Sequence, residues 1–286
     1  LSLSLLSGCV LLAHRNIKKG RGNPIGAARV SICLLLVGLA SWALRADHVA
    51  DLGKEADLFA RALAFTVLTC FLIWLLYVAL EPYLRKRWPE GVISWNRLLT
   101  GRFSDPLIAR DLLIGSAFGV SIAFCIYFSY WMYNFFSTPP PIPDVTAGSL
   151  LLGPKYRVGN LLDLVSSAVQ SGLGFFLVLL LARLLLRRDW LALLVVFLIG
   201  ILNNFQANQD LNLIFALKIL LIAFVWCLIV FLMLRFGLLA GMAGFFTANF
   251  ILTSPLTTDL SAWYSGATYF TVSTVLLLAG YGFLVS

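Results

Sequence analysis

The chain of 286 residues is 60% hydrophobic and only 12% charged, with a mean hydropathy of +0.93 and a formal net charge of +8. A soluble chain of this length carries roughly 25% charged residues, so the composition excludes an ordinary soluble domain, a disordered chain and a disulfide scaffold. The five cysteines, Cys9, Cys33, Cys70, Cys125 and Cys227, all sit in apolar runs without paired spacing. They predict neither a metal site nor a disulfide framework, and read as small apolar residues.

Apolar runs long enough to cross a ~30 Å hydrocarbon core as helices recur along the chain. The pattern predicts an all-α, polytopic transmembrane helical bundle of about eight full spans after a partial first one. The expected spans are 1–13 (partial), then 26–46, 58–80, 111–136, 161–186, 190–205, 211–234, 237–254 and 263–285. Leu1 in place of Met, at the head of a run too short to span, points to a piece of a longer protein. A secretory signal peptide fits poorly, because no basic stretch precedes the run.

Orientation follows from the bias of Lys and Arg toward cytoplasmic loops. Alternating these spans places segments 14–29, 81–111, 183–189 and Arg235 on one face. That face carries fifteen of the 21 basic residues against five acids, a net +10; the other has six basic against eight acidic residues, a net −2. The basic face is therefore expected to be cytoplasmic, in a bacterial inner membrane. Topology and attraction to anionic lipid account for the +8 charge, so the expected partner is the bilayer and not a nucleic acid.

The largest expected loop, 81–111, has Pro82 and Pro89, which should break a helix running on from the preceding span. Trp88 and Trp95 suit headgroup depth. Ser94 is a candidate N-cap for a short helix closed by Gly101, and Asp105-Pro106 reads as the next helix start. The loop should be ordered and hug the membrane. On the opposite side, loop 137–160 carries Pro139-Pro140-Pro141-Ile142-Pro143, a stiff polyproline connector or docking strap. Residues 203–212 gather six amides around Asp210.

Polar groups at membrane depth are the default functional hints. Lys218 could snorkel outward, or pair with Asp210 or a ligand. Asp163 stands near the expected start of its span, where a helix N-terminus favours a carboxylate. Asn249, with Thr247, reads as an inter-helix hydrogen-bonding position or a binding group. Gly115 with Gly119, and Gly237 with Gly241 and Gly244, put glycines on one helix face, which allows close helix packing within the chain or against a partner subunit.

No catalytic constellation is legible. Glu81 and Arg85 have the Glu-xxx-Arg spacing of intramembrane CAAX-type proteases, but no histidine follows His48 to complete such a site. No Ser/His pair or pair of mid-span aspartates suggests another intramembrane protease. There is no GxxxxGK[ST], and Arg110-Asp111-Leu112 lacks the His and Asn of a kinase catalytic loop. No cofactor is named by these residues.

One resemblance emerges from the run Glu81-Pro82-Tyr83-Leu84-Arg85-Lys86-Arg87-Trp88-Pro89, then Ile93-Ser94-Trp95-Asn96-Arg97-Leu98-Leu99-Thr100-Gly101-Arg102-Phe103-Ser104-Asp105-Pro106-Leu107, then Arg110-Asp111-Leu112-Leu113-Ile114-Gly115. With the basic stretch Arg15-Asn16-Ile17-Lys18-Lys19-Gly20-Arg21-Gly22, it resembles the C-terminal multi-span region of bacterial serine/threonine protein kinases, notably acidobacterial ones. Asn23-Pro24 departs from the usual acidic and basic residues after the second glycine. The likeness is specific over about 35 residues, extends more loosely over 15–115, and fades beyond residue 120. It implies a cytoplasmic kinase domain upstream and a non-catalytic membrane anchor or sensor here. Loop 81–111 would then couple the two, through Trp88, Trp95, Arg97, Arg102 and Asp105. An accessory subunit of a larger membrane complex and a small-solute transporter or channel are the alternatives.

Overall fold

A computed structural model describes residues 3–20, 23–136, 148–186, 188–202 and 213–286. The proline run 139–143, the amide-rich segment 203–212 with Asp210, and Arg21 and Gly22 lie outside the described residues. Every regular element among those described is helical. The α-helices are α1 (Leu3–Lys18), α2 (Pro24–Arg45), α3 (Leu52–Arg87), α4 (Ile93–Leu99), α5 (Pro106–Phe136), α6 (Pro154–Leu186), α7 (Asp189–Leu202), α8 (Leu213–Phe236), α9 (Leu238–Thr253) and α10 (Ser265–Val285).

Length and apolarity set six helices apart as able to cross a membrane: Pro24–Arg45, Leu52–Lys86, Pro106–Met132, Pro154–Arg183, Ala216–Phe236 and Ser265–Val285. This is the architecture of a polytopic membrane protein. The two shorter apolar helices are α7 and α9, of 14 and 16 residues. At 1.5 Å per residue they reach about 21 and 24 Å. Helix α9 is nevertheless the best-buried element, with every residue from Leu238 to Gly244 enclosed by its neighbours. It is apolar because it is surrounded by protein, and it needs no lipid to explain its composition.

Helices α2 and α5 start at one end of the bundle, and α3, α6, α8 and α10 finish there. At one end, the start of α2 meets the end of α3, the end of α10 meets the start of α5, and the turn between α8 and α9 meets Gly91. This end carries most of the arginines and lysines. At the other end, the Ser41 hydroxyl of α2 donates to the Gly159 carbonyl of α6 at 2.8 Å. There the Tyr127 hydroxyl of α5 donates to Ile251 of α9 at 3.0 Å.

The closest helix pair is α5 with α9. A methyl group on Gly115 would lie 2.6 Å from Ala243 Cβ and nearer still to the Ala240 carbonyl oxygen. One on Gly119 would lie 2.7 Å from both the Gly244 carbonyl oxygen and Thr247 Cβ. Gly244 also faces Leu232 of α8, and Gly241 faces the Met233 sulfur. The glycines thus let α9 sit between α5 and α8 at backbone distance, where lipid could not enter.

The α2–α3 turn at the far end is tied by His48. Its Nε2 lies 2.9 Å from the Ala43 carbonyl and its Nδ1 lies 2.6 Å from a Glu55 carboxylate oxygen. The Ala43 carbonyl first, and then Glu55, push the His48 pKa above its ordinary 6.5. A folded-state pKa above the unfolded one gives stability that is complete below pH 6.5 and lost as pH rises through the raised value. Thermal unfolding of the chain in detergent should therefore show a midpoint that declines across that window. In His48→Gln this part of the pH dependence should vanish; an unchanged profile would exclude the histidine as its source.

Candidate functional site

Residues 15–20, 81–107 and 110–115 meet at the basic end of the bundle. Their meeting begins with a proline inside a helix. Pro82 has no N–H, so the carbonyl of Val78, four residues earlier, has no donor from its own helix. Helix α3 still continues to Arg87, so the helix break expected at Pro82 does not occur. The physical reason is Asn16 of α1, only 3% exposed. Its side-chain amide donates to the carbonyls of Val78 at 3.1 Å and Ala79 at 3.0 Å.

Glu81, one residue before the proline, is also enclosed, its side chain 7% exposed. Its carboxylate accepts from the backbone N–H of Asn23 at the start of α2 and pairs with Arg85 at 2.5 Å. The Glu-xxx-Arg spacing is therefore a one-turn ion pair within α3, and the Glu81–Asn23 bond ties α2 to α3. Among the described residues, no cluster of three His, Cys, Asp or Glu side chains is placed to hold a metal ion.

After Trp88 closes α3, a 3-10 turn at Glu90–Val92 leads into α4. Ser94 is not the N-cap: the helix begins at Ile93, behind Val92, and the Ser94 side chain is buried. Trp95 is only 6% exposed, so its ring is enclosed by protein. It lines a small enclosed space with Tyr77, Leu80, Leu173 and Leu238. Helix α4 buries Ser94 and Trp95 and leaves Ile93 exposed, and enclosing the indole removes a large apolar area from solvent. Trp88 packs on Phe176 with ring centroids 6.0 Å apart, and the Arg183 guanidinium lies 6.0 Å over its ring.

Gly91 abuts Gly237 at the α8–α9 turn. Gly237 has φ +91°, a region side chains rarely adopt, and a methyl group there would strike the Gly91 backbone. The position therefore needs glycine for two separate reasons.

Of the residues expected to form a coupling surface, the structure brings Arg97 and Asp105 together and leaves Arg102 exposed beside them. The Arg97 guanidinium donates to both Asp105 oxygens, at 3.0 and 2.7 Å. Asp105 Oδ1 also accepts from the Leu107 N–H at 3.0 Å, capping α5. Partial removal from water pushes the Asp105 pKa up, but the Leu107 N–H and Arg97 outweigh this and hold it below the ordinary 3.8. The stability this contributes is present above pH 3.8 and lost as pH falls through the lowered value. Asp105→Ala should lower the thermal midpoint by a few degrees through the lost cap and pair. Asp105→Asn, which keeps a capping oxygen, should recover part of that loss; equal losses would rule out the cap.

Deeper in this cluster, Asp111 is 2% exposed and held by Arg110 at 2.9 Å. The Tyr281 hydroxyl of α10 donates to the Phe103 carbonyl and joins the far end of the chain to the same surface.

The candidate intramembrane groups do not converge with this cluster. Asp163 is not at a helix start, because α6 begins at Pro154. Its carboxylate pairs with Arg45 of α2 at 3.0 Å. Asn249 donates to Phe245 of its own helix at 2.8 Å, so this amide hydrogen bond stays within α9. The Thr247 side chain is fully buried between α9 and α5. Lys218 is half-buried on α8.

Sequence reasoning missed Asn16 and Glu81 as partners of the α2 and α3 backbones, and missed Arg45. A polar residue within one turn of an intrahelical proline's neighbours is not a sequence signal, because the two are 66 positions apart.

Compared with family models, curated proteins and solved structures, the chain matches none of them.

Proposed function

We propose that these residues form the non-catalytic membrane anchor and sensor region of a bacterial serine/threonine kinase-like signalling protein. The observation that carries this reading is the packing of residues 15–20, 81–107 and 110–115 into one cluster at the basic end. Those segments are the ones that resemble kinase membrane regions. Segments far apart in sequence but joined in space form a single element that a stimulus can bias between two arrangements.

In this reading the basic end faces the cytoplasm, in the inner membrane. The short helices α7 and α9 then complete eight crossings. Arg97, Arg102 and Asp105 form the outer surface toward the kinase, while Trp88 and Trp95 anchor it from within.

Two measurements test the proposal. The coding sequence upstream of Leu1 should encode a protein kinase domain followed by one further span; a start codon within a few residues of Leu1 would overturn it. In a cysteine-free background, a membrane-impermeant maleimide added to intact cells should label Ser261→Cys and not Arg102→Cys. The reverse pattern would invert the orientation and place the coupling surface away from the cytoplasm.

A further inference from the structure

The end of the bundle opposite the kinase-like cluster holds a cavity of about 470 Å³ between α2, α3 and α6. Ligand sites are typically about 300–1,000 Å³, mostly apolar, with a few converging polar groups. Each helix lines this cavity with residues three or four apart, which is one face of a helix. On that face α2 supplies Ser41 and Arg45, α3 supplies Thr66 and Thr69, and α6 supplies Asp163, Ser166 and Gln170.

These polar residues continue well below the rim. Gln170 lies seven residues beyond Asp163, about 10 Å along the helix. It stands near the middle of α6 and is exposed toward the cavity. A polar side chain exposed at mid-span is costly in hydrocarbon, and such groups ordinarily mark ligand or solute sites. The Ser41 and Thr66 hydroxyls already donate to the carbonyls of Gly159 and Ala62, so toward a ligand they have only acceptor capacity left.

The rim carries both signs of charge. Arg45 and Asp163 pair at 3.0 Å with side chains 38% and 59% exposed, an open pair that a ligand can displace at little cost. Asp47 is fixed separately by the Tyr156 hydroxyl at 3.0 Å. Trp42 forms a wall of the cavity, with His48 edge-on at 5.6 Å and Phe59 at 5.4 Å. An anion alone would meet two carboxylates, and a cation alone would meet the guanidinium. A headgroup carrying both charges satisfies each. The remaining lining, Leu34, Phe65 and Ile73, suits an apolar body.

We propose that this cavity binds an amphiphile with a primary-amine zwitterionic head. Its ammonium lies on Asp47 and Asp163, its anionic group on Arg45, and its apolar body between Leu34, Phe65 and Ile73. The same chemistry is offered by an aminophospholipid and by a free apolar amino acid. The proposal concerns these residues alone and does not depend on the kinase reading.

The test uses the purified chain in dodecyl maltoside, with thermal unfolding and native mass spectrometry as readouts. Lysophosphatidylethanolamine, lysophosphatidylglycerol and phenylalanine serve as probes. Lysophosphatidylethanolamine or phenylalanine should raise the unfolding midpoint and bind at least about tenfold more tightly than lysophosphatidylglycerol. Arg45→Gln and Asp163→Asn should each weaken binding by about tenfold or more, and Ser166→Phe should abolish it by filling the cavity. If Ser166→Phe does not fold, Gln170→Leu takes its place and should weaken binding in a stable chain. Response to the lysolipid alone assigns the site to a lipid headgroup; response to phenylalanine assigns it to a free zwitterion. Equal binding of lysophosphatidylglycerol, binding untouched by the variants, or no binding by either zwitterion would overturn the proposal.

Discussion

Gly115→Ala is expected to destabilise the bundle by about 1–3 kcal/mol, the usual cost of overpacking a well-filled interior. The added methyl group meets the Ala240 carbonyl and lies 2.6 Å from Ala243 Cβ, and backbone cannot rotate away as a flexible side chain could. Helices α5 and α9 must therefore separate, and the buried α9 loses contact along its length. Gly119→Ala meets the same helix one turn on and should behave alike. Gly280→Ala is the matched control: it lies in α10 with nothing within 4 Å of the added group. There the better helix propensity of alanine should leave stability unchanged or slightly raised. Thermal unfolding and gel filtration in detergent make the comparison. If Gly115→Ala unfolds at the same temperature as Gly280→Ala, the close approach of α5 and α9 is wrong.

Asn16→Ala should cost about 1–3 kcal/mol, because it leaves buried carbonyls of Val78 and Ala79 without their side-chain donor. The cause can be isolated with a double-mutant cycle. Pro82→Ala restores a backbone N–H that can reach the Val78 carbonyl. In that background Asn16→Ala should cost less, by about 1 kcal/mol, since Val78 then has a donor in its own helix, as Ala79 already has in the Tyr83 N–H. An equal cost in both backgrounds would show that Asn16 acts through something other than the proline gap. Under the proposed function Asn16→Ala should also alter signalling, because it loosens α1 from the helix that leads into α4.

How far the sequence can be read differs sharply between these two cases. Gly115 and Gly119 fall one turn apart on an apolar helix, which a sequence reveals as a packing face. Their partner, α9, could not be named, because the pattern says that something comes close and not what. Asn16 gave no such signal. It lies in a basic stretch, where a polar residue is expected at the surface, and its target is defined by a proline 66 residues later. Ser94 misled, and the enclosure of Trp95 was hidden, for the opposite reason. Their residue types have strong local preferences, N-cap and interface, that say nothing of the burial of α4 against Tyr77 and Leu173.

The sequence by itself determined the helical character of the described residues and the helices long and apolar enough to cross a membrane, because hydropathy and charge are properties of each segment and need no knowledge of neighbours. Its uneven Lys and Arg distribution also marked one end as distinct. Only the tertiary structure decided that Asn16 completes the backbone around Pro82, that Glu81 holds α2 to α3, and that Arg45, Asp163 and Gln170 line one cavity. Those relations depend on which helix faces which, and in an apolar bundle that choice rests on shape and on single buried polar bonds that leave no periodic trace in the chain.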